Sequence, residues 1–420
     1  MEKQTTLFGE PTDLWDLTNA DTQYLSHGLH PYPARMIPQI ARELIQRYLL
    51  KKLDPPYNQY IILDPFCGSG TVLVEAKLLG VNAVGSDINP LAILLAKVKS
   101  QGVRPELLEK LPSLIKKVEK ELSYNLNVEQ DVPEDVKYWF KPNVIRELLV
   151  IKHEVENIED RELRGFLKVC LSLTARKVSN IYREGDTYIK RMNEEDLKSY
   201  NPNVIQTFNK ILRKKVKLVK DFWRKAHHDI ICEVIHADTL TYCIKPESVD
   251  LIVTSPPYGE EKNTVSYTRW SKISLYWIGS GIETQRRLKR ATLGFRSSRK
   301  ASIKPPPSET LLEVIEQAKQ AGCSDDLVMD VYSFFDDYYK SLKVMFTVLK
   351  RERFCCIVIG NRSVKQKRIP MDKVTIELAE KVGFIPQTTY YRRLPTKALP
   401  WRCGKGETIS KENIIILKKE

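Results

Sequence analysis

The stretch from Tyr60 to Asp87 constrains the fold more than any other part of the chain. It runs YIILD, then a turn-rich loop PFCGSG, then TVLVEAKLLG at helical spacing, then VNAVGSD. A short apolar run bounded by turn formers is the pattern of a buried strand. The helical stretch closes on Gly80, and a second apolar run begins at Asn82. Strand, helix and strand in so few residues point to a right-handed crossover between parallel strands, with helices covering the sheet.

The same rhythm returns far along the chain. CEVIHAD (232–238), VDLIVTS (249–255) and FCCIVIG (354–360) read as further strands, and MDKVTIELAEKVGF reads as a helix after the last. Residues 101–230 differ, holding long charged helices. There Val144, Leu148, Ile151, Val155 and Ile158 repeat at steps of four and three, and Ile205, Phe208, Leu212, Val216 and Val219 form a second such stripe. The expected fold is α/β, a doubly wound, mostly parallel sheet with a large helical insertion. Its expected parts are residues 1–100, the insertion 101–230, and residues 231–420. A chain of 420 residues, 42% hydrophobic and 29% charged, is long and apolar enough to build it.

The loop after the first strand, Asp64-Pro65-Phe66-Cys67-Gly68-Ser69-Gly70-Thr71, opens directly into a helix. Glycines there let the backbone turn sharply and let a ligand lie against main-chain atoms at the helix N-terminus. Asp87 ends the next strand, where a carboxylate accepts hydrogen bonds from ribose hydroxyls. A dinucleotide fingerprint would read GxGxxG, whereas FxGxG here has no further glycine to admit a pyrophosphate. An adenosine without phosphate fits, and S-adenosyl-L-methionine is the expected ligand. Asp238, in HADTL, would reach the adenine amino group. The competing reading, a packing turn, leaves three aspartates at strand ends without a purpose. Cys67 is read as a packing residue within the loop.

The strand VDLIVT runs into Ser255-Pro256-Pro257-Tyr258-Gly259. Neither proline can donate to a ladder, so the chain must break at the carboxyl edge of the sheet, where open α/β sheets bind ligands. The prolines stiffen a backbone that aims carbonyl oxygens and the Ser255 hydroxyl at one point, and Tyr258 offers a stacking face. A planar heterocycle bearing an amino group would fit.

With these motifs the sequence resembles the amino-group DNA methyltransferases, which modify cytosine at N4 or adenine at N6. DPFCGSGT (64–71) looks like their cofactor motif, SDINP (86–90, with Asp87 and Ile88) their ribose motif, HAD (236–238) their adenine motif, and TSPPY (254–258) their catalytic motif. HGLHPYPARMIP (27–38) is similar to the segment that packs on the methionine part of the cofactor, through Tyr32, Pro33 and Ala34. The resemblance covers most of residues 25–100 and 232–420. It implies flipping of the target base, stacking of that base on Tyr258, and methyl transfer without a covalent intermediate. SPPY is the form usual in the cytosine-N4 branch, which makes N4 of a flipped cytosine in duplex DNA the expected target and adenine N6 the alternative. The cofactor motif precedes SPPY here, opposite to many SPPY enzymes, so motif order does not reveal which segment reads the target.

Charge agrees with such a substrate. The chain carries 67 Lys and Arg against 53 acidic residues, a formal +14, which favours a polyanionic partner. Between Thr284 and Ser308 lie eight basic residues, among them Arg286, Arg287, Lys289, Arg290, Arg296 and Arg299, with no acidic one. This reads as an extended basic loop for DNA phosphates, a solvated loop being the alternative. The helical insertion is a second candidate for DNA contact. Arg269, Trp270 and Lys272 follow SPPY closely and could line the strand path, although Trp270 and Trp277 could equally be core.

Other classes fit less well. Eight cysteines show no CxxC pair and no metal-like clustering, so no metal is expected. A polar, acidic N-terminus and the lack of an 18-residue apolar run support neither secretion nor membrane insertion. A cytoplasmic, nucleoid-associated enzyme is expected, with a cognate restriction endonuclease as a functional partner. Carbon-5 chemistry needs a cysteine nucleophile, typically after proline, and the chain has no Pro-Cys pair. An RNA guanine-N2 methyltransferase shares the glycine loop but usually has DPPY and an N-terminal RNA-binding domain, for which about sixty residues before Asp64 leave little room. A protein-glutamine methyltransferase would usually carry NPPY. A catalytically silent DNA-binding regulator would have no need of Asp87 and Ser255.

Overall fold

The computed structural model describes residues 15–17, 19–123, 132–182, 189–240, 244–260, 264–295, 303–394 and 411–420. Seven strands form one sheet: β1 Ile61–Asp64, β2 Asn82–Asp87, β3 Cys232–His236, β4 Val249–Thr254, β5 Leu349–Gly360, β8 Ile385–Arg393 and β9 Lys411–Lys419. A separate ribbon pairs β6 Arg362–Val364 with β7 Lys367–Ile369. The sheet order is β3-β2-β1-β4-β5-β9-β8. The first five strands run parallel, and β9 lies antiparallel between β5 and β8.

Strand alternation sends neighbouring residues to opposite faces. Leu63, Ile252, Cys355, Ile357, Ile415 and Leu417 pack under the helices Asp325–Val348 and Met371–Val382. Ile62, Leu251, Val253, Cys356, Ile414 and Ile416 pack on the other side, under Pro38–Ile45 and Thr71–Leu78. The adjacent cysteines 355 and 356 thus belong to different cores. Every residue of β4 is buried, which explains its unbroken apolar run.

The helical stripes seen in the sequence become Pro142–Glu156 and Val204–Lys225. With Arg161–Val178 between them, they build a third core that is continuous with Leu29, Tyr32, Leu91, Leu95, Trp270 and Trp277. Both tryptophans are therefore core residues, and Trp270 does not line an open path. Lys272 pairs with Asp135 at 3.0 Å.

The stretch read as an extended basic loop is helical over Ile282–Ala291. Leu288 is buried while Arg286, Arg287, Lys289 and Arg290 are exposed. One apolar anchor among charged positions lets a turn-poor basic segment fold as a surface helix. Arg296 and Arg299 lie outside the described residues. No helix among the described residues is long and apolar enough to cross a membrane.

Candidate active site

The reversal of strand order falls between β1 and β4, which pair through Ile62 with Leu251 and Leu63 with Ile252. Their carboxyl ends therefore release two loops side by side. The Thr254 hydroxyl at the end of β4 donates to Asp64 Oδ1 at 2.7 Å, and the Phe66 amide donates to the same oxygen at 3.2 Å. Burial pushes the Asp64 carboxyl up to about 7, against the pull of these two bonds.

The glycine loop passes between this strand end and the helix Pro90–Gln101. Gly68 and Gly70 have φ of +48° and +84°. A Cβ on Gly70 would stand 2.8 Å from Ala96 Cα, and one on Gly68 would stand 3.4 Å from the Tyr32 ring. The Gly68 amide donates to Asp87 Oδ2 at 3.0 Å and the Asn89 amide to Oδ1 at 2.8 Å. Asp87 thereby locks the loop, and its burial pushes it up to about 6. Asn89 caps the following helix through the Leu91 amide, and its Nδ2 donates to Tyr32 Oη at 3.2 Å and to Ser271 Oγ at 2.7 Å. From β3 the cavity receives Asp238, which accepts from the Leu240 amide at 2.9 Å, and Thr239, whose hydroxyl donates to the Pro65 carbonyl at 2.6 Å.

The segment 27–36 closes another wall and is held by unusually buried groups. Tyr24 Oη, His27 Nε2 and Arg42 Nε all donate to the fully buried Glu75, at 2.5, 2.7 and 2.6 Å. Backbone carbonyls of the segment accept from cations: His27 from Arg35 at 2.8 Å, Gly28 from Lys215 at 2.5 Å, and His30 from Lys99 at 3.4 Å. His30 Nδ1 donates to the Pro31 carbonyl at 2.6 Å, so its Nε2 accepts from Ser172, 3.0 Å away. Burial drives His30 well below its ordinary value and keeps it neutral. Ser172 and Lys215 come from the helical block, which thus supports this wall directly. Tyr32 stacks on Tyr267 at 6.0 Å and meets the edge of Trp270 at 5.7 Å, and Arg176 covers Trp270 from 3.8 Å.

These elements surround one cavity. Of the residues named from the sequence for the cofactor, Tyr32, Pro33, Ala34, Asp64, Pro65, Phe66, Cys67, Gly68, Thr71, Asp87, Ile88 and Asp238 line it, while Gly70 acts from behind through its conformation. Of the catalytic set, Ser255 and Pro257 line it, together with Gly259. Pro256 is buried, and Tyr258 sits on the core with its hydroxyl 3.0 Å from Glu412 Oε1. Gly259 is required because a Cβ there would lie 2.6 Å from Arg362 Nη1, and Arg362 in turn pairs with the buried Glu260 at 2.5 Å. The helix Ile282–Ala291 roofs the cavity with Leu288 and Ala291, followed by Thr292 and Leu293.

Sequence reasoning missed Asn89, Tyr267, Thr268, Leu288 and Glu412. Asn89 was legible as a helix cap inside SDINP. The others are brought in by packing from distant segments and leave no local signal.

The lining suits a neutral nucleoside with an attached cation. Two carboxylates, Asp87 and Asp238, offer acceptors for hydroxyl and amino hydrogens. Ser69 presents a buried hydroxyl that has no protein partner. Arg35 is the one Lys or Arg among the described lining residues, and it is committed to the His27 carbonyl, so nothing here is built for a phosphate. Fold and cavity together define an S-adenosylmethionine-dependent methyltransferase.

Comparisons with known proteins carry the assignment further. A family model described as DNA methylase, N6_N4_Mtase, matches residues 2–98. The type II methyltransferase M.MvaI of Kocuria varians is 30% identical over 94% of this chain and 90% of its own length. The type II methyltransferase M.BsoBI of Geobacillus stearothermophilus is 24% identical over 91% and 83%. A tRNA (guanine(10)-N2)-dimethyltransferase of Methanothermobacter thermautotrophicus is 45% identical, but over 58 residues, 14% of this chain and 16% of that one. The chain belongs to the amino-group DNA methyltransferase family, and it is a site-specific enzyme that uses S-adenosyl-L-methionine to methylate DNA.

Proposed function

We propose that the enzyme methylates N4 of a cytosine flipped out of duplex DNA, with adenine N6 as the alternative. The observation that carries this reading is the shared cavity: Ser255 at the end of β4 faces the same space as Gly68, Asp87 and Asp238. The cofactor supplies an electrophilic methyl group on a sulfonium. Asp87 accepts the ribose hydroxyls, Asp238 the adenine amino group, and Tyr32, Pro33 and Ala34 flank the methionine part. Asp64, Pro65, Phe66, Cys67, Gly68, Gly70, Thr71 and Ile88 shape the loop around it.

An exocyclic amine is a poor nucleophile because its lone pair is delocalised into the ring. The Ser255 hydroxyl and the Pro256 carbonyl accept its hydrogens, which favours a pyramidal nitrogen with the lone pair aimed at the methyl group. Pro257 keeps that backbone rigid, and the Tyr258 ring stacks on the flipped base. Arg286, Arg287, Lys289 and Arg290 stand on the outer face of the helix that roofs the cavity, where they hold phosphates beside the extruded base, and Arg296 and Arg299 continue that basic run. We assign residues 101–230 to a helical insertion with a part in target recognition, set between the two halves of the methyltransferase domain. The type II relatives support a restriction endonuclease as functional partner, and the enzyme works on cytoplasmic DNA at the nucleoid.

The deciding experiment offers labelled S-adenosylmethionine with duplex DNA and with tRNA, followed by nucleoside digestion and mass analysis. N4-methylcytosine in DNA is the expected product. N6-methyladenine would keep the site and overturn the base assignment, and label confined to tRNA would overturn the substrate. Ser255→Ala abolishes transfer while leaving cofactor affinity within about threefold, because its lost hydroxyl acts on the target amine.

A further inference from the structure

A serine hydroxyl has one hydrogen to give and two lone pairs to offer, so Ser255 can meet an amino group either as donor or as acceptor. Only the acceptor orientation activates the amine, and it requires the serine's own hydrogen to be engaged elsewhere. The structure provides a receiver. Tyr258 Oη stands within a hydrogen bond of the Ser255 hydroxyl. The phenol donates its own hydrogen to Glu412 Oε1 at 3.0 Å. The other oxygen of Glu412 accepts from Arg392 Nη1 at 2.5 Å, across the β8–β9 pair where these two residues sit opposite one another.

An ionised carboxylate accepts and cannot donate, so the direction of the chain is fixed from its far end. Arg392 keeps Glu412 ionised, Glu412 takes the phenol hydrogen, and the phenol oxygen is left to accept from Ser255. Burial, reinforced by the neighbouring Glu412 charge, holds the phenol protonated far above its ordinary range. It therefore serves as a fixed donor.

We propose that Tyr258 and Glu412 are positioning residues that orient the Ser255 hydroxyl as an acceptor toward the target amine and take away the proton the amine sheds. This rests on the role given to Ser255 above. Arrival of the methyl group leaves the amine nitrogen with one proton too many. That proton passes to Ser255 Oγ as the serine hydrogen moves to Tyr258 Oη and the phenol hydrogen moves to Glu412 Oε1. One carboxylate ends protonated, no charge is left on the base, and water later recovers the proton. Tyr258 thus acts through its hydroxyl as well as its ring.

The test compares Tyr258→Phe, Tyr258→Ala, Glu412→Gln and Ser255→Ala in single-turnover transfer to a duplex, with cofactor and duplex affinities measured separately. Tyr258→Phe removes one hydroxyl from a packed ring and keeps the fold. It lowers kcat about 10²-fold with both affinities within about threefold. Glu412→Gln does the same, and the Tyr258→Phe/Glu412→Gln double variant is no slower than either single one, because both cut the same chain. A Tyr258→Phe enzyme at the native rate beside an inactive Tyr258→Ala would reduce Tyr258 to a stacking surface and overturn the proposal. So would multiplicative losses in the double variant, or a Glu412→Gln loss that appears as weakened cofactor binding. Native activity in Ser255→Ala would instead overturn the reading of Ser255 on which the proposal rests.

Discussion

Asp87 holds the glycine loop through two backbone amides and still faces the cavity. Ribose hydroxyls donate best to the ionised carboxylate, so cofactor affinity is expected to fall as pH drops below about 6, where Asp87 takes up a proton. Calorimetric titration from pH 5 to 8 checks this, and Asp87→Asn should bind weakly at every pH, with a flat profile. Asp64 has the opposite consequence for the free enzyme. Its folded value of about 7 lies above the ordinary carboxylate value of about 3.9, so the fold favours its protonated form. The stability it contributes is complete below the ordinary value and is lost as pH rises through about 7. Asp64→Asn keeps an oxygen to accept from Thr254 and Phe66. It is expected to stabilise the cofactor-free protein at pH 8 by up to about 4 kcal/mol, with little gain at pH 4, in denaturant titrations. These aspartates were legible as strand-end residues. Their shifted ionisation was not, because it depends on burial by Thr254 and the cavity walls.

The helix Ile282–Ala291 shows how one element can serve two surfaces. Leu288 faces the cavity while its charged neighbours face solvent, so the pattern RRLKR around one buried leucine divides roof from exterior. Neutralising Arg286, Arg287, Lys289 and Arg290 together should weaken duplex binding and flatten its salt dependence by about 0.9 in log–log slope per lost phosphate contact. An unchanged slope in filter binding would move the DNA contact to another element. The segment was read as extended because its charges hid a single apolar position, too few to set a period. Strands β1 to β5 were easier to read, each being an apolar run of the kind a doubly covered sheet requires. β8 and β9 escaped notice. β8 mixes tyrosines, threonines and arginines at the edge of the sheet, where one side meets water.

At the scale of the whole molecule, the helical block supports the cofactor wall. Lys215 and Ser172 bond the segment Gly28–His30, and Arg176 backs the Trp270 that touches Tyr32. A chain lacking residues 105–225 would expose Leu29, Leu91 and Leu95 and leave those carbonyls unpaired. It is expected to show no cooperative thermal transition, read by circular dichroism. The sequence by itself determined the sheet class, the cofactor loop and the order of the two site motifs. Each is a local matter of apolar period, turn chemistry and glycine conformation, all of which act over a few residues. Only the tertiary structure decided which loops share the cavity, that the basic segment roofs it, and that Glu412 stands behind Tyr258. Glu412 follows Tyr258 by 154 residues. Such a pairing depends on strand order and register, which no local pattern encodes, so it becomes visible only when β9 is laid between β5 and β8.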